Sequence, residues 1–364
     1  MVVFSLILQR CYSMSHDQNF QIELARKMEP VKFQDVIVSG TRPTGNLHLG
    51  NYIGAVQQYV KMQDLYDKCF FFIADIHSLT THPNPADLEE NVKTVLVEYL
   101  ASGLDPDKIT IYRQSDLHET SELYLFLNMH AYKGELERVT TFKEKAKNHP
   151  DNINAGLLTY PVLMAADILI HKGTKVPVGK DQEQHLEMAR TFAKRFNHIY
   201  KQDILPEPQA FNTIGELIKV PGLGGSGKMS KSDDESTAIF LKDSPKELEK
   251  KIMRAVTDIG PTKRNQKKPE AIGNLFTLMK HVSSADTIVA FDEKYNDMTI
   301  RYGDLKKQLA EDMIRYLTPV REKIEDIKNN DKYLKKVLLE GTEKARESAA
   351  VTLREVRKAV GFSH

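Results

Sequence analysis

The sequence predicts an α/β protein with a parallel sheet covered by helices on both faces, followed by an all-helical region. Three observations predict it. A β-branched run at 36–39 leads through a glycine-containing turn into a helical pattern; strand-like and helix-like segments then alternate; beyond residue 244 mainly helical patterns follow. Parallel strands need a crossover long enough to hold a helix, so this alternation argues for a parallel sheet.

Val36–Ser39 is a short apolar run, and Gly40 opens the turn Gly40-Thr41-Arg42-Pro43-Thr44-Gly45-Asn46. Ile53, Val56, Val60 and Leu65 then recur at helical spacing. Strand, glycine turn and helix together form the opening of a nucleotide-binding unit. A second strand reads Cys69 to Ala74 and ends in Asp75-Ile76-His77. A helix from Pro85 to Leu100, a strand at Ile109–Tyr112, a strand at Lys175–Val178 and a helix from Asp181 complete the pattern. Ser244-Pro245-Lys246-Glu247 is a capping box with proline at the first helical position. Amphipathic helices come next, broken near Gly260–Lys268 and Asn329–Asp331, and the last runs from Lys332 to Val360.

With 364 residues, 41% hydrophobic and 28% charged, the composition is that of a globular protein large enough for two domains. A net charge of +1 gives no global basic field, so any nucleic-acid contact must rest on a local patch. The two cysteines, Cys11 and Cys69, form neither a metal-spaced cluster nor a disulfide framework, which points to a reducing compartment. No apolar stretch approaches the roughly 20 residues that span a bilayer. Met1–Leu8 is apolar but lacks a basic n-region, so residues 1–33 are expected to be a poorly ordered extension.

Two short motifs carry the chemistry. His48-Leu49-Gly50-Asn51 lies at the carboxyl end of the first strand, where open α/β sheets bind ligands. A glycine at 50 lets a purine or ribose approach the main chain, and helix N–H groups favour phosphate. Taken alone, the tetrad also fits a surface histidine in an ordinary turn. The second motif, Lys228-Met229-Ser230-Lys231-Ser232, follows Gly222-Leu223-Gly224-Gly225-Ser226-Gly227. That run approaches the phosphate-loop pattern, but Met229 stands where the magnesium-binding hydroxyl belongs, and the segment lies late in the chain. Two lysines on a mobile, glycine-fed loop can instead close on a pyrophosphate as charge builds up. Alone, the loop reads equally as a solvated basic surface.

Ala155–Ile170 is almost wholly apolar and contains Asp167. A helix of this kind is buried, and a buried carboxylate requires a donor, from substrate or from protein. An indole N–H, which donates and never accepts, suits it. Met164 lies one turn earlier on the same face, as a packing surface for a ring or as plain core. Gly179-Lys180-Asp181-Gln182 sits at a strand-to-helix turn, where Asp181 can cap the helix or hold a ribose hydroxyl. The charged run Gly134–Lys145 fits a solvated face, with Lys145 as a candidate third phosphate contact.

In this order these motifs resemble bacterial-type tryptophanyl-tRNA synthetases, from about Val36 to the C-terminus. Val38–Gly54, Gly134–Lys145, Ala155–Ile170, Val176–His185, Lys228–Ser232 and Lys251–Asp258 carry the similarity. The resemblance implies a Rossmann-like catalytic domain at 34–232 and a helical, tRNA anticodon-binding region at 233–364. It further implies a cytoplasmic homodimer acting on L-tryptophan, ATP carried with Mg2+ and tRNA(Trp), with no metal held by the protein itself. Arg42, Pro43, Thr44, Gly50, Asn51, Gly179, Lys180, Asp181, Val220, Lys228, Met229, Ser230, Lys231 and Ser232 would contact ATP, and His48, Asn51, Lys145, Lys228 and Lys231 would act in catalysis. Asp167, Met164, Tyr160, Gln182 and His77 would bind tryptophan. The chain departs from many members by carrying Arg42 in place of glutamine and His48 in place of threonine. Asn51 replaces the last histidine of the general class I tetrad; an amide donates a hydrogen bond but does not titrate.

The rival readings are a tyrosine enzyme of the same fold, a small nucleotidyltransferase, a P-loop NTPase and a non-enzymatic RNA-binding protein. A tyrosine pocket would have to meet a phenol that both donates and accepts. A nucleotidyltransferase has little use for the long helical C-terminal region.

Overall fold

In the computed structural model, five strands form a single parallel sheet in the order β3-β2-β1-β4-β5. The structure describes residues 33–148, 150–179, 182–211, 220–230 and 235–362. The expected N-terminal extension lies outside them but for its last residue. Asp35–His364 forms one compact unit, and every strand and helix named below belongs to it.

The strands are β1 (Ile37–Thr41), β2 (Cys69–Ile73), β3 (Thr110–Arg113), β4 (Lys175–Val176) and β5 (Gln209–Ala210). Every residue of β2, Cys-Phe-Phe-Phe-Ile, is buried, as expected of a strand covered on both faces. The period-2 alternation then sorts side chains between two cores. Ile37, Phe71 and Ile73 join one cluster; Val38, Phe70 and Phe72 join the other. β4 is shorter than the sequence suggests: Pro177 has no N–H for the ladder, and the strand stops before it. β5 was not anticipated, because two exposed residues after Pro206 and Pro208 carry no periodic signal.

The helices are α1 (Pro85–Ala101), α2 (His118–Met129), α3 (Thr140–Asn148), α4 (Ala155–Leu169), α5 (Glu183–Tyr200), α6 (Pro245–Met253), α7 (Glu270–Val282), α8 (Ala285–Asn296), α9 (Tyr302–Ile327) and α10 (Asp331–Ala359). Their starts are chemically marked. Asn84 accepts from Ala86 N ahead of Pro85, Asn154 accepts from Leu157 N, and Ser244 and Glu247 close the expected capping box. After β1 the chain runs through three contiguous helical pieces, Leu49–Asn51, a π-helical turn Tyr52–Val56, and Gln57–Met62.

One core draws on the helical pieces after β1, on α1 and on α6 to α9. The other draws on α2, α4 and α5. α10 reaches both: Leu334 and Val337 join the first, while Ala345, Ala349, Leu353 and Val356 join the second. The C-terminal helix therefore crosses the edge strand β3, covering backbone groups that an open edge would leave unpaired.

Candidate active site

The strand order turns around between β1 and β4, so the crevice beyond their carboxyl ends is where an open α/β sheet receives a ligand. The turn Arg42–Asn46 leaves β1 there, Gly179 follows β4, Asp75–His77 follows β2 and Gln114 follows β3.

Within the first motif, His48 N donates to Asn51 Oδ1 at 3.3 Å, and Asn51 N donates to His48 Nδ1 at 3.2 Å. This reciprocal cap fixes the chemistry of both side chains. Nδ1 accepts, so a neutral imidazole carries its proton on Nε2; Oδ1 is engaged, so the Asn51 amide offers its NH2. Gly50 must be small, because a Cβ there would lie 2.9 Å from the His48 ring.

The two signature loops meet at Gly50. The same Cβ would lie 3.7 Å from Cβ of Met229, whose side chain is buried in the first core. Met229 N bonds Val220 O at 2.9 Å, making the lysine loop the return arm of a hairpin. Ile239–Leu241 then pairs with the first motif, through Leu49 N to Ile239 O at 2.8 Å and Leu241 N to Leu47 O at 3.1 Å. Met229 and Val220 thus build the floor of this region, and Lys228 and Ser230 flank that floor. Lys180, Asp181, Lys231 and Ser232 lie outside the described residues, as does the side chain of Lys145, whose backbone is in α3. Pro43 is buried, Thr44 is exposed, and burial lowers the pKa of Arg42. Arg42 Nε has no hydrogen-bond partner among the described residues.

Tyr160, Met164 and Asp167 stand at i, i+4 and i+7 on α4, one face of one helix. Asp167 is 1% exposed and takes its donors from protein. Gln114 Nε2 donates to Oδ1 at 2.8 Å and to Oδ2 at 3.0 Å, and His77 Nε2 lies 2.9 Å from Oδ2. Gln114 is held in turn, since its Oε1 accepts from Ile76 N at 3.1 Å and His77 N at 3.3 Å. Burial raises the carboxyl pKa of Asp167, opposed by the bonds from His77 and Gln114. The segments that follow β2 and β3 thus supply fixed donors to an acceptor carried by α4. Tyr160 also lines a cavity of about 320 Å3 with Leu163, Ile76 and Tyr124.

Gln182 and Tyr160 come together through a residue that sequence reasoning missed. His185, 2% exposed, lies 2.9 Å from Gln182 Oε1 by Nδ1 and 2.6 Å from the Tyr160 hydroxyl by Nε2. Gln114 was missed too. Its signal was available: it directly follows the strand at 109–112, at the carboxyl end of a parallel strand.

A doubly wound sheet with two loops converging on one glycine at the switch point is the frame of a class I tRNA synthetase. The family of class I tRNA synthetases for tryptophan and tyrosine (W and Y) matches residues 34–318, and the chain belongs to it. A tryptophan–tRNA ligase of Porphyromonas gingivalis is 60% identical over 328 residues, covering 90% of this chain and 99% of that one. The structure of a Campylobacter jejuni tryptophanyl-tRNA synthetase complexed with ADP and tryptophan has a TM-score of 0.78 at 34% identity, covering 89% of this chain and 99% of the other. A tyrosyl-tRNA synthetase of Aeropyrum pernix shares the fold alone, with a TM-score of 0.61 at 20% identity over 89% of this chain and 93% of its own. Within the family, the chain stands with the bacterial-type tryptophanyl-tRNA synthetases.

Proposed function

We propose that this chain is a tryptophan–tRNA ligase that joins L-tryptophan to ATP and then passes it to tRNA(Trp). The tryptophan carboxylate attacks the α-phosphate of MgATP, giving tryptophanyl-adenylate and pyrophosphate. A ribose hydroxyl of the tRNA then attacks the adenylate carbonyl and releases AMP. The substrate supplies the nucleophile, so the protein contributes position and charge stabilisation.

The observation that carries the choice of amino acid is Asp167, held by Gln114 and His77 on the face shared with Tyr160 and Met164. A carboxylate has about four acceptor positions, and the protein bonds engage three, so Asp167 can receive one more N–H. Indole provides that N–H and nothing that must be accepted in return. Met164 packs on the ring, and Tyr160 and Gln182 hold the α-ammonium. On the nucleotide side, Arg42, Pro43, Thr44, Gly50, Asn51, Gly179, Lys180, Asp181 and Val220 seat ATP. His48 and Asn51 offer N–H donors, and Lys145, Lys228 and Lys231 meet the pyrophosphate. The Mg2+ arrives with the nucleotide's phosphates.

The helices of 233–364 receive the tRNA, and the enzyme works as a cytoplasmic homodimer. Leu125, Met129 and Tyr132 leave apolar surface on and just after α2, which supports self-association. No described helix is long and apolar enough to cross a membrane. Amino-acid-dependent exchange of pyrophosphate into ATP tests the whole reading. Stimulation by tryptophan alone is expected; stimulation by tyrosine and not tryptophan overturns it.

A further inference from the structure

Asp75 and Gln114 lace together the two segments that follow β2 and β3. The last paired residues of these strands are Ile73 and Arg113, and beyond them each segment enters its own short helical turn, Asp75–Ser78 and Gln114–Asp116. Backbone pairing thus ends just before the residues that hold Asp167, and side chains take over. Asp75 reaches from the first segment to the second: its Oδ1 accepts from Ser115 N at 3.0 Å and its Oδ2 from Ser115 Oγ at 2.5 Å. Gln114 reaches back, its Oε1 accepting from His77 N at 3.3 Å and from Ile76 N at 3.1 Å. Ile76 N is shared, since Asp75 Oδ1 also lies 3.0 Å from it. Each donor is a backbone N–H or a hydroxyl facing a carboxylate, so these roles are fixed. The sense of the Gln114 amide follows. Its oxygen meets N–H groups, so its NH2 faces the other way, onto Asp167 Oδ1 at 2.8 Å and Oδ2 at 3.0 Å. Asp75 is 8% exposed and Gln114 1%. Arg113 Nε lies 3.9 Å from Asp75 Oδ2.

We propose that Asp75 is a positioning residue for indole recognition: by tying Ser115 to the segment after β2, it holds Gln114 with its NH2 on Asp167 and so keeps that carboxylate set to accept the indole N–H. The inference rests on the amino-acid reading above and deepens it. Asp75 makes no bond to the substrate in this role and acts through Gln114. The side chain of a glutamine turns about several single bonds, so its amide stays in one sense only while the groups around it stay in place. With Ser115 released, the backbone that carries Gln114 is no longer tied to the N–H groups at 76 and 77. An amide turned over would set its oxygen against the Asp167 carboxylate and its NH2 against the His77 N–H. Asp167, itself 1% exposed, would then lose donors that a buried carboxylate requires.

The test is a double-mutant cycle on the full-length chain, with equilibrium titration of L-tryptophan and of 3-benzothienyl-alanine, its isostere with sulfur in place of the indole N–H. Asp75→Ala removes the lacing bonds, and Gln114→Ala removes the group through which Asp75 acts. Weakening a hydrogen bond to a charged group should make Asp75→Ala raise the Kd for tryptophan about 10-fold, with the Kd for the isostere holding within about twofold. In the Gln114→Ala background the same substitution should add less than about twofold, because residues that act as one unit are not additive. Asp75→Asn keeps an oxygen for Ile76 N and Ser115 N, so it should restore tryptophan binding to within about threefold of the wild-type chain. Asp75→Ser, one bond shorter and still polar, runs the same cycle where the alanine variant fails to fold. Unchanged tryptophan binding, an equal loss of both ligands, or the full loss recurring on top of Gln114→Ala overturns the positioning role while the amino-acid reading stands. A wild-type chain that binds no tryptophan overturns that reading and this role with it.

Discussion

Gly341 in α10 lies so close to the backbone carbonyl of Ile111 in β3 that a Cβ at position 341 would overlap that oxygen. Glycine in a helix interior costs about 1 kcal/mol relative to alanine, so its presence here is explained by the approach it permits. Gly341→Ala gains helix propensity and loses the fit between helix and edge strand. Overpacking of this kind costs about 1–3 kcal/mol, and the clash is with backbone, which has no rotamer to yield. The variant is expected to melt several degrees lower, measured by circular dichroism. An unchanged or higher Tm would mean that α10 is not seated against β3.

His171 joins the same elements at another point. Its ring stacks on Phe70 at 4.0 Å, its Nε2 lies 2.9 Å from the Tyr112 hydroxyl, and its Nδ1 lies 3.2 Å from Ser348 Oγ. Burial pulls its pKa from the usual 6.5 down to about 3. The unfolded chain therefore takes up a proton near pH 6.5 that the folded chain refuses. The stability this group contributes is fully present above pH 6.5 and is lost progressively as pH falls toward 3. Between pH 7 and pH 5 the loss is about 2 kcal/mol. Urea unfolding at the two pH values should show this fall in the wild-type chain and a shallower one in His171→Gln.

The two residues also show where sequence reading stops. The glycine turn, the strand at 69–73, the helix at 85–101 and the last long helix were legible, because each has a periodic or capping signature within its own segment. The turn at His48 was legible for the same reason. Gln114, His185, His171 and Gly341 were not. Each takes its role from partners between 3 and 230 residues away, such as Gln182 for His185, Ser348 for His171 and Ile111 for Gly341. Asp167 was legible as a buried carboxylate in need of a donor; that Gln114 and His77 are its donors emerged only when the strand ends were brought together.

Asp167 allows a prediction separable from folding. In Asp167→Asn an amide NH2 replaces one oxygen, opposite the Gln114 donors and wherever an indole N–H would arrive. Removal of a hydrogen bond to a charged group costs about 1.5–3 kcal/mol, so the Kd for tryptophan should rise about 10- to 100-fold. The chain contains no tryptophan, so indole fluorescence reports bound ligand directly. 3-Benzothienyl-alanine, which has sulfur in place of the N–H, provides the control. It should bind the variant and the wild-type chain within a few-fold of each other. An equal loss of both ligands would assign Asp167 to pocket structure and not to indole recognition.

The lysine loop gives the complementary case, loss of rate without loss of amino-acid binding. Its base is pinned: Met229 N bonds Val220 O, Gly227 N bonds Glu270 Oε1 at 3.3 Å, and the buried Met229 side chain packs beside Gly50. A pinned base lets a lysine one residue past Ser230 act by position on a phosphate whose charge grows in the transition state. A preorganised donor of that kind is worth roughly 3–4 kcal/mol in the barrier, or about 10²- to 10³-fold in rate. Lys231→Ala should therefore slow adenylate formation by that factor in pre-steady-state kinetics while the Kd for tryptophan changes less than about twofold. Met229→Ala loosens the base without removing a charge, so it should slow the same step less and lower the Tm, which Lys231→Ala should not do. Equal losses of rate and of tryptophan affinity in Lys231→Ala would place the lysine in ground-state binding and remove it from the transition state.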